Sequence, residues 1–177
     1  MSRTGHLTKR FVGTLRPGGP RPADTEWVLE VLEPGEFTLW SKMPNHDRRH
    51  SVLVARRVED QLSTTEYAGD SRWLAAALLH DVGKLDSHLT VFGRVLATMA
   101  GGAAGHEWAD AWASKRGITR RFGLYLKHPE LGSDRIRMAD GRAEAARWAA
   151  AHHDAEQWDR CGVPAPVVEA LRAADDD

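Results

Sequence analysis

His80-Asp81-Val82-Gly83-Lys84 carries the densest chemistry in this chain: an imidazole, a carboxylate and an ammonium within five residues. It follows directly on an apolar run, Trp73 to Leu79. Adjacent side chains on a helix point about 100° apart, so His80 and Asp81 diverge while a helix continues. Where the helix ends and Gly83 lets the backbone turn, both can face one metal ion. The second carboxylate oxygen of Asp81 is then available to a second ion. Other positions offer the same donors: His50 upstream, His128 in Lys127-His128-Pro129-Glu130-Leu131-Gly132, the pair His152-His153, and Asp175 near the C-terminus. Imidazole combined with carboxylate suits Fe, Mn, Zn and related divalent ions. A lone histidine is more often structural or solvated, and His6, His88 and His106 are read that way. His80 and Asp81 differ, because burying either without a partner is expensive and a metal removes the cost.

These residues need elements to bring them together. Residues 1–24, with Gly18-Gly19-Pro20-Arg21-Pro22, predict an irregular N-terminal arm, and residues 25–177 one helical domain. A short helix from Asp24 or Thr25 buries Trp27, Val28, Val31 and Leu32 and ends at Pro34-Gly35. Phe37, Leu39, Trp40 and Met43 form an apolar lead-in closed by Pro44. With Asn45 as its N-cap, the next helix runs to about Leu62. Leu53, Val54, Val58 and Leu62 keep the helical period, and His50 falls on the Val54 side, so it points inward. Asp70 or Ser71 caps a helix to about Asp81, stopped by Gly83. Leu89 to Met99 reads as a helix, Gly101 to Gly105 as a loop and Trp108 to Lys115 as a helix. Arg120 to Leu126 leads into a helix resuming at Pro129. Ala143 to His153 is alanine-rich and helical. Pro164 and Pro166 open a last helix, Val167 to about Ala174, whose apolar spacing docks it and carries Asp175 toward the core. No segment alternates like a strand, so the fold class is all-α, a single helical bundle.

The bulk properties narrow the function. At 177 residues the chain is one domain with room for a substantial core. It has 24 basic and 25 acidic residues, so no net field draws it to nucleic acid or membrane, and no DNA or RNA duplex binding is expected. One cysteine, Cys161, excludes an internal disulfide framework and fits a reducing cytoplasm. Nine histidines against that single cysteine also argue against a structural zinc finger. Met1 to His6 lacks the apolar core of a signal peptide. The tract from Leu89 to Gly105 is broken by Arg94 and too short to span a bilayer. A soluble cytoplasmic protein is expected.

The order His50 … His80-Asp81 … His128 … His152-His153 … Asp175, with His-Asp-x-Gly-Lys and His-Pro-x-x-Gly as its specific parts, resembles the HD-domain metal-dependent phosphohydrolase superfamily. The resemblance runs from about residue 36 to the C-terminus, where Leu171-Arg172-Ala173-Ala174-Asp175 matches the family's ending and Asp176 is the fallback. It implies an HD-type bundle with a metal site at its centre and two divalent ions, such as Fe or Mn. His50, His80, Asp81 and Asp175 would hold the first. Asp81 would bridge to the second, held also by His128 and by His152 or His153. Of that pair His152 is favoured as the ligand, its neighbour facing substrate or a second metal. Asp81 and Lys84 would be the catalytic residues, Lys84 contacting a phosphate oxygen, and metal-activated hydroxide would cleave a phosphate ester or phosphodiester. The substrate would be small and anionic, a nucleotide. Arg48, Arg49, Arg120, Arg121 and Lys127 flank the motifs and would extend an anionic-substrate surface. His46, one turn before His50, stands where some relatives carry an additional glutamate ligand, so it is either a further contact or an exposed first-turn histidine.

Extra histidines mark the members that hydrolyse cyclic dinucleotides or dinucleoside polyphosphates. Their Asp-Gly-x-Gly-Tyr-Pro segment is degenerate here, as Asp159-Arg160-Cys161-Gly162-Val163-Pro164, with Val163 at the tyrosine position. Two alternatives belong to other classes: a di-iron oxygenase acting on a small organic substrate, and a metal- or nucleotide-sensing domain without catalysis.

Overall fold

The computed structural model describes residues 18–90, 93–94, 96–97 and 108–176. Among these every regular element is helical. In chain order the α-helices are α1 (Pro22–Val31), α2 (Pro34–Ser41), α3 (Asn45–Leu62), α4 (Ser71–Leu79), α5 (Trp108–Ala113), α6 (Gly117–Leu126), α7 (His128–Met138), α8 (Ala143–Ala151) and α9 (Ala165–Asp176). A 3₁₀ turn, Val82–Ser87, follows α4, and a shorter one, Ala155–Gln157, follows α8. No helix among the described residues is long and apolar enough to cross a membrane.

Helix α4 is the axis of the bundle. Every residue from Trp73 to Leu79 is buried, so the helix has no polar face and must be surrounded. It packs between α3 and α8, with α9 on the far side of α3 and α7 on the far side of α8. Its start is fixed by Asp70, whose carboxylate accepts from the Arg72 backbone N–H at 2.9 Å. Helix α3 has the predicted bounds, although Pro44 rather than Asn45 is its N-cap. Asn45 begins the helix and its amide oxygen takes a bond from Arg48.

The structure differs from expectation at several boundaries. Helix α1 starts at Pro22, a few residues inside the stretch expected to be irregular. Pro34-Gly35 opens a helix instead of closing one. Glu33 and Glu36 form a capping box around Pro34, with the Glu33 backbone N–H donating to the Glu36 carboxylate at 3.0 Å. The expected lead-in Phe37 to Trp40 is therefore helical. Helix α7 begins at His128, with Pro129 in its first turn, and α8 stops at Ala151, two residues earlier than expected. The helix expected over Leu89 to Met99 falls largely, and the loop Gly101 to Gly105 wholly, outside the described residues.

One buried ion pair ties four helices together. Glu36, fully buried in α2, accepts from the Arg142 backbone N–H at 2.7 Å and from its guanidinium at 2.5–3.1 Å. The same guanidinium donates to the Val31 carbonyl at the end of α1 and to Ser71 at the start of α4.

Candidate metal centre

The seven predicted ligands converge where the C-terminal ends of α4, α8 and α9 meet the first half of α3 and the first residue of α7. Three helix C-termini carry partial negative charge and favour a cation in the space they face. His50 sits on α3, His128 opens α7, and His152 and His153 follow α8. Asp175 lies in the last turn of α9.

The His80-Asp81 corner shows how adjacent residues reach one place. Helix α4 ends at Leu79, and His80 is its C-cap. Asp81 leaves the helical range at φ −97°, ψ 4° and starts the 3₁₀ turn. Gly83 does not stop this element, since the turn continues to Ser87. Its role is proximity: a Cβ there would lie 1.9 Å from the His128 carbonyl oxygen and 2.5 Å from the Gly132 nitrogen. The glycines of His-Asp-x-Gly-Lys and His-Pro-x-x-Gly thus press the turn and α7 together, backbone to backbone, and set His128 against Asp81.

Two groups of donors result. His50, His80 and Asp175 each present a ligand atom within 4.8 Å of the others, and Asp81, His128, His152 and His153 do the same. In the first group, Asp175 Oδ1 is 3.0 Å from His50 Nε2 and 3.7 Å from His80 Nε2. Asp81 faces both groups. Its Oδ2 is 3.4 Å from His80 Nε2, whereas its Oδ1 is 3.5 Å from His128 Nε2 and 3.7 Å from His152 Nε2. Ligand atoms sharing one ion at bonds of about 2.1 Å lie roughly 3.0–3.5 Å apart at ordinary coordination angles. The observed spacings are close to that.

The tautomers are set from behind. His80, His128 and His152 each donate Nδ1–H to the carbonyl three residues earlier, Ala77 at 2.8 Å, Tyr125 at 2.7 Å and Ala149 at 2.8 Å. This leaves each Nε2 directed into the site, where all three are buried without a hydrogen-bond partner. An unsatisfied buried polar atom costs about 1–3 kcal/mol. Three together approach the whole stability of a typical domain, about 5–15 kcal/mol. Second-atom bonds of this kind are how metal-binding histidines are usually oriented. The donor set therefore fits divalent cations. His152 shares the pattern in full; His153, exposed, joins the same group from the outer side, its ring 5.1 Å from that of His128.

Electrostatics follow from burial and neighbours. Burial alone would raise the Asp81 carboxyl, but Lys84 and His80 hold it well below the usual range. Asp175 likewise is pulled down against burial, by His80 and His50. Burial opposes charge on His80, yet Asp81 and Asp175 outweigh it and push that imidazole up to about 9. His128 goes the other way, lowered to about 4, chiefly by burial. His153 is exposed as a residue, but its ring packs against His128 and His152, and desolvation there together with those two neighbours lowers its pKa.

The other predicted residues are placed as follows. Lys84 contacts Asp81 Oδ2 and is held charged by it against the effect of burial. His46 joins neither group; its Nε2 is 3.3 Å from Asp47, and burial lowers its pKa. Lys127 is engaged by Asp110 and Glu130, away from the donors. Arg120 and Arg121 are exposed, and Arg48 lies over the Trp40 ring. His88 is exposed, and His6 and His106 lie outside the described residues.

Three features beside the site were not singled out in the sequence. Asp47, one turn before Ser51 on α3, holds Arg94 in a two-pronged pair at 2.6 and 2.8 Å, both side chains nearly buried. Arg57 donates to the Ala174 carbonyl at 3.1 Å, fixing the end of α9 that presents Asp175. Tyr125 stacks on His128, with ring centroids 5.5 Å apart at 26°. Arg57 stands seven residues from His50 on α3, an interval that keeps side chains on one helix face, and that spacing is its only local signal. Tyr125 lies across a helix boundary from His128, so local spacing gives no signal for it.

No protein-family model, no curated protein and no solved structure matches this chain.

Proposed function

We propose that this chain is a metal-dependent phosphohydrolase of the HD-domain type, cleaving a phosphate monoester or diester of a small anionic substrate such as a nucleotide. The observation that carries the proposal is the pair of donor groups sharing Asp81, with three buried Nε2 atoms aimed between them. The order of these residues in the chain supports the family assignment. His50, His80, Asp175 and Asp81 Oδ2 would hold one divalent ion. Asp81 Oδ1, His128, His152 and His153 would hold the other. Bound there, the ions would supply Lewis acidity for hydrolytic attack on a phosphoryl group.

The chain's own residues do the rest. The carbonyls of Ala77, Tyr125 and Ala149 keep three imidazoles in the tautomer that offers Nε2. Asp81 presents one carboxylate oxygen toward each group. Lys84 brings an ammonium to the edge of Asp81, where a non-bridging phosphate oxygen would be neutralised. That placement favours hydrolysis of an anion over oxygenation of a neutral molecule.

The test is hydrolysis of bis(p-nitrophenyl) phosphate and p-nitrophenyl phosphate with Mn or Fe supplied. Turnover should appear with metal and vanish in Asp81→Ala while helical content persists. A protein that binds both ions yet cleaves neither ester overturns the proposal.

A further inference from the structure

The two groups of donors differ in composition. The group facing Asp81 Oδ1 holds three imidazoles, His128, His152 and His153. The group facing Asp81 Oδ2 holds two, His50 and His80, together with a second carboxylate, Asp175. Imidazole nitrogen suits zinc, copper, nickel and iron, whereas carboxylate oxygen suits manganese and other hard ions. On donor type alone, the first group belongs to the softer ion and the second to the harder one.

The bonds these atoms already make run in the same direction. Nε2 of both His128 and His152 is buried without a hydrogen-bond partner, and the bonds from Nδ1–H to the Tyr125 and Ala149 carbonyls keep the lone pair on Nε2. An ion between those two atoms would displace no hydrogen bond. In the other group only His80 is prepared in this way. His50 Nε2 and Asp175 Oδ1 are hydrogen-bonded at 3.0 Å. An ionised carboxylate only accepts, so that nitrogen carries a hydrogen which an ion would have to replace. Asp81 Oδ2, the oxygen turned to this group, also receives the Lys84 ammonium, a positive charge that opposes a second cation there. The ion pairs of Oδ1 are with His128 and His152.

Resting on the two-ion phosphohydrolase reading above, we propose that the two positions are unequal. Asp81 Oδ1, His128, His152 and His153 form a tight site for zinc or another imidazole-preferring ion. His50, His80, Asp175 and Asp81 Oδ2 form a weaker site for a harder ion such as manganese. The centre therefore fills in a fixed order, and it holds two different metals when both are offered.

The test uses the full chain, stripped with a chelator and titrated with zinc by calorimetry. Protein carrying one equivalent of zinc is then measured by X-ray absorption at the zinc edge and titrated with manganese, with unbound manganese read from its paramagnetic resonance signal. Two zinc steps should appear, at least about tenfold apart in Kd, because one site satisfies unpartnered atoms and the other exchanges existing bonds. The first zinc should be ligated by three imidazoles, and manganese should then enter without releasing it. His128→Ala should remove the tighter step and Asp175→Asn the weaker one, with circular dichroism reporting that each variant folds. The absorption measurement on the wild type decides the matter even where a variant does not fold. A first zinc ligated by fewer than three imidazoles, or two steps of equal affinity, overturns the ordering and leaves the phosphohydrolase reading standing. A stripped chain that takes up neither zinc nor manganese overturns both.

Discussion

Gly83→Ala tests how the two halves of the site are held together. The added Cβ would sit 1.9 Å from the His128 carbonyl oxygen, 2.8 Å from its carbon and 2.5 Å from the Gly132 nitrogen. All three are backbone atoms, so no side chain can swing away. Restoring a tolerable 3.0 Å contact moves the 3₁₀ turn and α7 apart by about 1.1 Å. Overpacking of this kind costs about 1–3 kcal/mol, and rigid backbone on both sides puts Gly83→Ala at the upper end. For a chain of this size, about 3 kcal/mol lowers Tm by roughly 6–12 °C. The functional cost is more specific. His128 Nε2 is already 3.5 Å from Asp81 Oδ1, and an extra ångström exceeds the roughly 4 Å that one ion spans at bonds near 2.1 Å. The variant should therefore lose the ion of the Asp81–His128–His152–His153 group and keep the one at His50, His80 and Asp175, which makes no use of α7. Gly132→Ala is the control, since its Cβ meets nothing closer than 3.1 Å. Thermal melts and elemental analysis of both proteins decide the matter. Equal losses in the two variants, or a Gly83→Ala protein with wild-type Tm and full metal content, would refute the packing argument.

Three further outcomes are expected. His128→Ala should cost one metal equivalent by elemental analysis, whereas Lys84→Ala should retain both ions and lose turnover; unchanged kinetics would remove Lys84 from the chemistry. Arg57→Ala frees the Ala174 carbonyl and should weaken metal binding at the His50–His80–Asp175 group alone, read as a selective rise in one of two dissociation constants. Glu36 is fully buried, which by itself raises its pKa, but the bonds from Arg142 and the backbone bring the net value below normal. Its stabilisation is accordingly complete above the ordinary carboxylate pKa, about 4.3, and is lost as pH falls through the depressed folded value. Glu36→Gln should destabilise by about 3 kcal/mol at neutral pH and flatten the acid limb of a stability-against-pH curve. A variant retaining the wild-type acid limb would show that other carboxylates set it.

What was legible in the sequence divides along physical lines. Helix α3 was found to within about a residue at each end because its apolar spacing and its flanking proline are local signals. The apolar run Trp73 to Leu79 pointed to a helix capped at Asp70 or Ser71, and α4 is that helix, buried on all sides. The donors brought together at Asp81, His128, His152 and Asp175 were legible from their residue types and their order in the chain. Pro34-Gly35 misled, since proline closes one helix and opens another equally well; Glu33 and Glu36 on either side were the overlooked capping-box signal. Gly83 was read as a stop because its long-range neighbour, the His128 backbone, leaves no trace in local pattern. The same holds for Asp47 with Arg94, 47 residues apart, and Glu36 with Arg142, 106 apart. Such pairs are decided by how helices pack, and each is composed of residue types that are ordinarily solvated.

Crystals grown with manganese and measured at its absorption edge address the central claim most directly. Two anomalous peaks should appear, flanking the Asp81 carboxylate, one bounded by His50, His80 and Asp175 and the other by His128, His152 and His153. A map with no peak at Asp81, in a protein whose three Nε2 atoms instead bond to protein groups or water, would contradict the account.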